Sequence, residues 1–394
     1  RIEDIRRDWQ LAGIDSALRN GFFGVARTLV DRLLAESPEG DVRETVLNHR
    51  LHIALVGGDM ELAKATEDLL KQEGFRVRPL LSAFTAFFTG NESAAEIILD
   101  SIPVESLSRG DRSWRHLLEA LILVRKEETE AANETFLTAE ETAPSTLLRD
   151  HFEIIRIRER LKRGAIEEEE ISALRGSVRS MRGERGGFEA ARLLAVALNR
   201  TDDSNGAIEV LNTHLALPGL REFGFRSDFL LLLGMIAGAD STRGQLALRQ
   251  LISEAEGGED MAVALTLLSQ AQGQGYSREA FLADINVWLD RQDVHPMADR
   301  ILAYKAYLQM NRGAFESAED TATDLLDRFP NSDFVSTALR LLAYSSWNQS
   351  PPRYRTAADY LNQLRGRLSS ESEILETGIL IADCYFLNED YTSA

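Results

Sequence analysis

Cysteine is almost missing from this chain. With Cys384 alone among 394 residues, no internal disulfide can form and no metal centre can be built on several thiolates. Proline is nearly as scarce, at nine residues. The alternation of apolar and polar side chains that marks a half-buried strand is hard to find, so helix is the default expectation. No uninterrupted apolar run approaches the roughly 18 to 20 residues a membrane-spanning helix needs, which argues against direct membrane insertion. Also missing are a Gly-rich phosphate loop ending in Lys-Ser or Lys-Thr, a Gly-x-Gly-x-x-Gly turn, a Gly-x-Ser-x-Gly nucleophile turn and a His-Glu-x-x-His helix. The expectation is no catalytic site, no cofactor and no metal.

Positive charge is the next shortage. The formal net charge is -19, which repels a nucleic-acid backbone and an anionic membrane surface, so no nucleic-acid partner is expected. Only five of the 44 basic residues are lysine, a bias that points to a GC-rich genome more than to a function. The most basic stretch, Arg149 to Arg192, includes Arg156, Arg158, Arg160, Lys162 and Arg163, which Glu167, Glu168, Glu169 and Glu170 follow directly, and it reads as a salt-bridged helical surface. The four glutamates read as a solvated helix start, favoured by the helix dipole. His49 and His52 lie three apart on one helix, but no third ligand stands near them in sequence, so packing is the expected role. Arg109-Gly110-Asp111 spells an adhesion tripeptide without specificity and reads as a turn. Cys384 lies in an apolar run and reads as an inert core thiol.

What the chain has in abundance is a period. Its clearest unit begins at Asp299, runs as helix from Arg300 to Met310, breaks at Asn311-Arg312-Gly313, restarts from Ala314 to Phe329 and stops at Pro330. Small residues, here Ala306 and Ala318, let two antiparallel backbones approach, glycine supplies the tight turn, and proline cannot continue a helix. The same frame recurs: Ala26 precedes Pro38, Ala132 precedes Pro144 and Ala318 precedes Pro330, each by twelve residues. Reference alanines of the second helices are Ala26, Ala63, Ala95, Ala132, Ala207, Ala247, Ala280, Ala318, Ala358 and Ala394. They stand mostly 32 to 40 residues apart, with a gap of 75 after Ala132 that holds one degenerate pair. The turns before them include Asn20-Gly21-Phe22, Gly57-Gly58-Asp59, Gly90-Asn91-Glu92, Gly273-Gln274-Gly275-Tyr276 and Asn388-Glu389-Asp390.

This unit resembles the tetratricopeptide repeat (TPR) family, a helix-turn-helix of roughly 34 residues. The resemblance implies an all-α fold, a right-handed superhelical α-solenoid of about ten TPR-like repeats. Residues 1–145 form N-terminal repeats, 146–225 degenerate repeats where the superhelix can bend, and 226–394 C-terminal repeats with the last one truncated. Gly183-Glu184-Arg185-Gly186-Gly187 reads as a flexible break, Pro218-Gly219 as a second, and Ser350-Pro351-Pro352 as a lengthened turn. A start on Arg1 without a signal peptide and a last unit ending at Ala394, one turn into a helix, are expected of a fragment or mature form that continues further.

In the family, the first helix of each unit lines the concave face. In register, Tyr307, Tyr344 and Asp383 form one column, Met310, Trp347 and Phe386 the next, with Asn311 and Asn348 beside them. Large aromatic and thioether side chains are enriched in binding hot spots, and such a groove suits an extended or helical peptide. The same residues could instead pack against the next unit. Chaperone-binding members grip a carboxylate with Lys and Asn, but the matching positions here carry Ala303, Tyr304 and Tyr307, or Arg340, Leu341 and Tyr344. That function is not expected. The boundary Phe329-Pro330-Asn331-Ser332 is similar to repeats of bacterial envelope proteins, including the lipoprotein subunit of the outer-membrane barrel-assembly machinery. The expectation is a non-catalytic scaffold binding proteins or peptides in a periplasmic, cell-envelope assembly. A cytosolic adaptor or peptide-sensing regulator, or a non-catalytic module of a larger enzyme, are the alternatives.

Overall fold

A helix ends cheaply where one residue can turn left-handed and the last carbonyls find donors. This chain meets that demand repeatedly in the same way. Gly21, Gly58, Gly90, Glu127, Asp202, Gly313 and Glu389 all have positive φ. One residue on, the N–H groups of Phe22, Asp59, Asn91, Glu128, Asp203, Ala314 and Asp390 donate to a carbonyl five residues back, at 2.8 to 3.0 Å. The carbonyls of these same residues then accept the first bond of the following helix, as in Ala26 N to Phe22 O at 3.0 Å and Ala318 N to Ala314 O at 3.0 Å. One three-residue device both stops a helix and starts the next.

The computed structural model describes residues 2–164, 166–256, 258–271 and 276–394, with side chains from Ile5 onward. The turn expected at Gly273-Gln274-Gly275 lies outside them. The result is an all-α solenoid with no β-strand among the described residues. Two compact units divide it.

In the first unit, Arg1–Phe225, α1 (Ile2–Asn20) pairs with α2 (Phe23–Ala35), and α3 (Gly40–Gly57) with α4 (Met60–Gln72). Next come α5 (Pro79–Phe88) with α6 (Glu92–Asp100), α7 (Arg109–Arg125) with α8 (Thr129–Thr142), and α9 (Thr146–Lys162) with α10 (Glu168–Ser180). The unit closes with α11 (Arg185–Arg200), α12 (Ser204–Leu215) and the short α13 (Gly219–Glu222). In the second unit, Arg226–Ala394, the pairs are α14 (Arg226–Ala237) with α15 (Thr242–Glu254), and α16 (Gly258–Gln270) with α17 (Arg278–Leu289). Then follow α18 (Ala298–Asn311) with α19 (Phe315–Arg328), α20 (Val335–Asn348) with α21 (Tyr354–Arg365), and a last first-helix, α22 (Glu371–Leu387).

The fourth residue of each second helix sits where the pair crosses. Ala26, Ala63, Ala95, Ala132, Ala207, Ala318 and Ala357 hold this place, all buried, because a larger Cβ substituent would push the backbones apart. Ile171, Gln245 and Phe281, also buried, take it in α10, α15 and α17. The reference residues Ala247 and Ala280 are therefore out of register, with Ala280 only half-buried because Phe281 fills the crossing, while Ala358 stands one residue past the crossing Ala357 and is also buried.

Four local expectations change. Gly186 and Gly187 are not a flexible break: they are buried in the first turn of α11, where a side chain at Gly187 would run into the Met181 carbonyl. Arg109-Gly110-Asp111 is the first turn of α7, capped by Ser108 Oγ, which accepts from Asp111 N at 3.1 Å. Glu170 is buried, not solvated, and stands 2.8 Å from Arg160 and 3.5 Å from Arg156. Tyr391 to Ala394 form a single hydrogen-bonded turn on Asp390 with Ala394 exposed. The lengthened turn at Ser350-Pro351-Pro352 is present, separating α20 from α21.

The basic stretch is indeed ion-paired. Arg156 reaches Glu140 at 2.7 Å and Glu153 at 3.4 Å, while Arg158 reaches Glu189 at 2.9 Å. At the boundary after α19, Ser332 Oγ donates to Asp299 Oδ2 at 2.5 Å and accepts from Phe334 N at 3.0 Å, while Arg300 lies 5.2 Å over the Phe334 ring. The Phe-Pro-Asn-Ser segment thus ties the end of one repeat to the start of its own first helix.

Candidate functional site

Helices α18 and α20 bury one stripe and leave another open. Their buried stripe is built on Ala306, Leu342 and Ala343, among others. Tyr307 is 50% exposed and Tyr344 58%, so both tyrosines of the first predicted column stand outside the core with Asp383. The second column divides. Met310 and Trp347 are half-buried against the inter-helix core, and Trp347 meets Tyr354 edge-on at 5.5 Å. Phe386 is exposed and packs edge-on against Tyr391, also at 5.5 Å. Asn311 and Asn348 are exposed, and Asn348 Nδ2 donates to the Tyr344 carbonyl at 2.8 Å. Cys384 faces the opposite way, fully buried, with burial pushing its thiol up to about 11, which keeps it protonated and unreactive at neutral pH.

Sequence reasoning missed a feature of the first unit. There the first repeat meets the fifth: Ser145 Oγ at the start of α9 donates to the Asn20 carbonyl at the end of α1, at 2.8 Å. Phe23 lies 4.9 Å from His151, His52 lies 5.0 Å from Trp114, and Trp114 lies 4.8 Å from Phe152. Beside this aromatic cluster is a cavity of about 620 Å³. A register signal could have found it. Tyr307, Tyr344 and Asp383 stand four residues before the end of their first helices, and the equivalent residues of α5, α7 and α9 are Phe84, Leu121 and Arg158, all three lining the cavity.

The cavity histidines are neutral at pH 7. His52 is half-buried and faces the cavity, and burial, with the neighbouring His49 and Arg78, holds its imidazole down at about 3. Burial also lowers His151. His49 is fully buried 3.4 Å from Asp15, and burial and then Arg78 bring it down to about 3. It is a packing residue at the junction of α1 and α3. No group of three His, Cys, Asp or Glu side chains placed to hold a metal ion occurs among the described residues.

No protein-family model matches the sequence, and no curated protein matches it. Among solved structures, 14 chains match. One is the crystal structure of the TPR domain of P58(IPK), 11% identical, with 98% of this chain and 99% of that one covered and a TM-score of 0.26. Helix pairs, left-handed stops and small crossing residues are the chain's own repeat. The repeat is TPR-like. No helix among the described residues is long and apolar enough to cross a membrane.

Proposed function

We propose that the chain is a non-catalytic scaffold that holds other proteins or peptides on the exposed stripe of its first helices, within a periplasmic assembly of the bacterial cell envelope. The observation that carries the binding reading is the pair of tyrosines at one register position, Tyr307 and Tyr344, both at least half exposed, with Phe386 exposed one helical turn further along α22. A folded chain gains nothing by leaving such rings in water. A partner that covers them gains both apolar burial and a hydroxyl hydrogen bond at small entropic cost. Spacing one ring per repeat suits an extended or helical peptide laid across successive first helices. The envelope reading rests on the Phe329-Pro330-Asn331-Ser332 boundary.

The test replaces Tyr307 and Tyr344 with alanine in the full-length protein. Exposed positions cost within about 0.5 kcal/mol of stability, so thermal unfolding should barely move while affinity for a captured partner falls at least tenfold. Unchanged partner affinity, with a large loss of thermal stability, would overturn the reading in favour of packing. Recovery of the native protein in the cytosolic fraction would overturn the envelope assignment.

A further inference from the structure

The cavity of the first unit has a chemistry of its own. One wall is apolar, formed by Phe84, Phe88, Trp114, Leu117, Leu121 and Ile154. The charged lining is mainly cationic, which is unexpected in a chain of net charge -19: Arg78, Arg158, Arg185 and Arg192 face the same space as two carboxylates, Asp111 and Glu189. Both carboxylates are already engaged. Glu189 accepts from Arg158 at 2.9 Å, and Asp111 accepts from Ser108 Oγ at 2.7 Å.

Arg185 is the residue left over. It is half-buried, its Nη1 donates to the Phe223 carbonyl at 3.3 Å, and its guanidinium lies 5.2 Å over the Phe225 ring, with no carboxylate at ion-pair distance among the described residues. A carbonyl and a π face stabilise part of that charge and leave donors for an anion. Its pKa is lowered, chiefly by burial, as expected of an under-compensated cation. Arg78 likewise has no carboxylate at ion-pair distance among the described residues. A volume of about 620 Å³ lies within the range of small-molecule sites and is far too small for a folded partner.

We propose that the closed first unit binds a small amphiphilic anion, an apolar chain or ring bearing one carboxylate or phosphate, with the anionic group at Arg185 and the apolar part against Phe84, Trp114 and Leu121. This site lies apart from the tyrosine stripe of the second unit and does not depend on it.

Isothermal titration of the whole chain tests it with three probes that share a ten-carbon tail: decanoate, decyl phosphate and decyltrimethylammonium. Expected is saturable binding of one or both anions at one site per chain, weaker by at least tenfold in Arg185→Gln and unchanged in Arg175→Gln, an exposed residue of α10. The anion that binds tells which head group the site prefers. Hydrogen exchange with the bound anion should show protection in α5, α7 and α11. No saturable binding of either anion, equal affinity for the ammonium probe, or protection confined to the second unit would overturn the proposal. If Arg185→Gln unfolds the first unit, Arg78→Gln takes its place, and its unaltered affinity would count against an anion site in the same way.

Discussion

Gly21→Ala separates two penalties that meet at one atom. Gly21 turns left-handed at φ +82 to end α1, and a Cβ there would lie 3.1 Å from the backbone N of Leu148 and 3.2 Å from its Cα. The first penalty is conformational, about 1–2 kcal/mol for a side chain in the left-handed region, offset by about 0.4–1 kcal/mol because alanine loses less freedom on folding. The second is steric and falls on the first turn of α9, which cannot swing aside while Ser145 Oγ holds both the Asn20 carbonyl at 2.8 Å and Leu148 N at 3.1 Å. Forcing a methyl into such a contact costs about 1–3 kcal/mol. The expected total is about 3 kcal/mol. Gly90→Ala is the matched control: φ is again +82, but nothing stands within 4 Å of its Cβ, so only the first penalty applies and the loss should be about 1 kcal/mol. A repeat array need not unfold in two states. The comparison is therefore best made by urea unfolding followed at Trp114, with hydrogen exchange at the start of α9. Equal losses for the two variants would refute the approach of the first repeat to the fifth, and with it the closed wall of the cavity.

Two further outcomes follow from buried charge. His49 is neutral when folded and would protonate near pH 6.5 when unfolded, so its contribution is present above that pH and is lost as pH falls from 6.5 towards about 3. That loss runs at about 1.4 kcal/mol per pH unit; His49→Leu should flatten the acid limb of a stability-against-pH curve, and an unchanged slope would contradict the burial. Arg156→Met leaves the buried Glu140 without its cation, while Glu170 keeps Arg160, and should cost about 3 kcal/mol at pH 7. Because burial already raises the Glu140 carboxyl, acidification that protonates it should shrink this cost; a cost independent of pH would argue against the pairing.

The repeat was legible because its anchors are local. A left-handed stop, a small crossing residue and a break in apolar periodicity each depend on near neighbours, which is why α18 and α19 fall almost where Arg300 to Phe329 place them. Register failed where a larger residue replaced alanine at the crossing, as Phe281 does in α17, and where two alanines adjoin, as Ala357 and Ala358 do in α21. Gly186 and Gly187 were misread for another reason: a glycine that admits a carbonyl and one that frees a loop look alike until the neighbour, here Met181, is known. The cavity was illegible because its walls come from first helices far apart in sequence, such as Phe84 and Arg158. For the second unit, the column spacing found Tyr307 and Tyr344 but could not tell them from Met310 and Trp347, whose side chains turn inward by one helical step.

Site-specific photo-crosslinking tests the scaffold claim most directly. A photoreactive phenylalanine is placed in turn at 307, 344 and 386 on the exposed stripe of first helices, and at 320 and 359, where Asp320 and Asp359 are exposed on second helices. The account predicts that one partner is captured from the first three positions and not from the other two. Capture from 320 and 359, with none from 307 and 344, would contradict it.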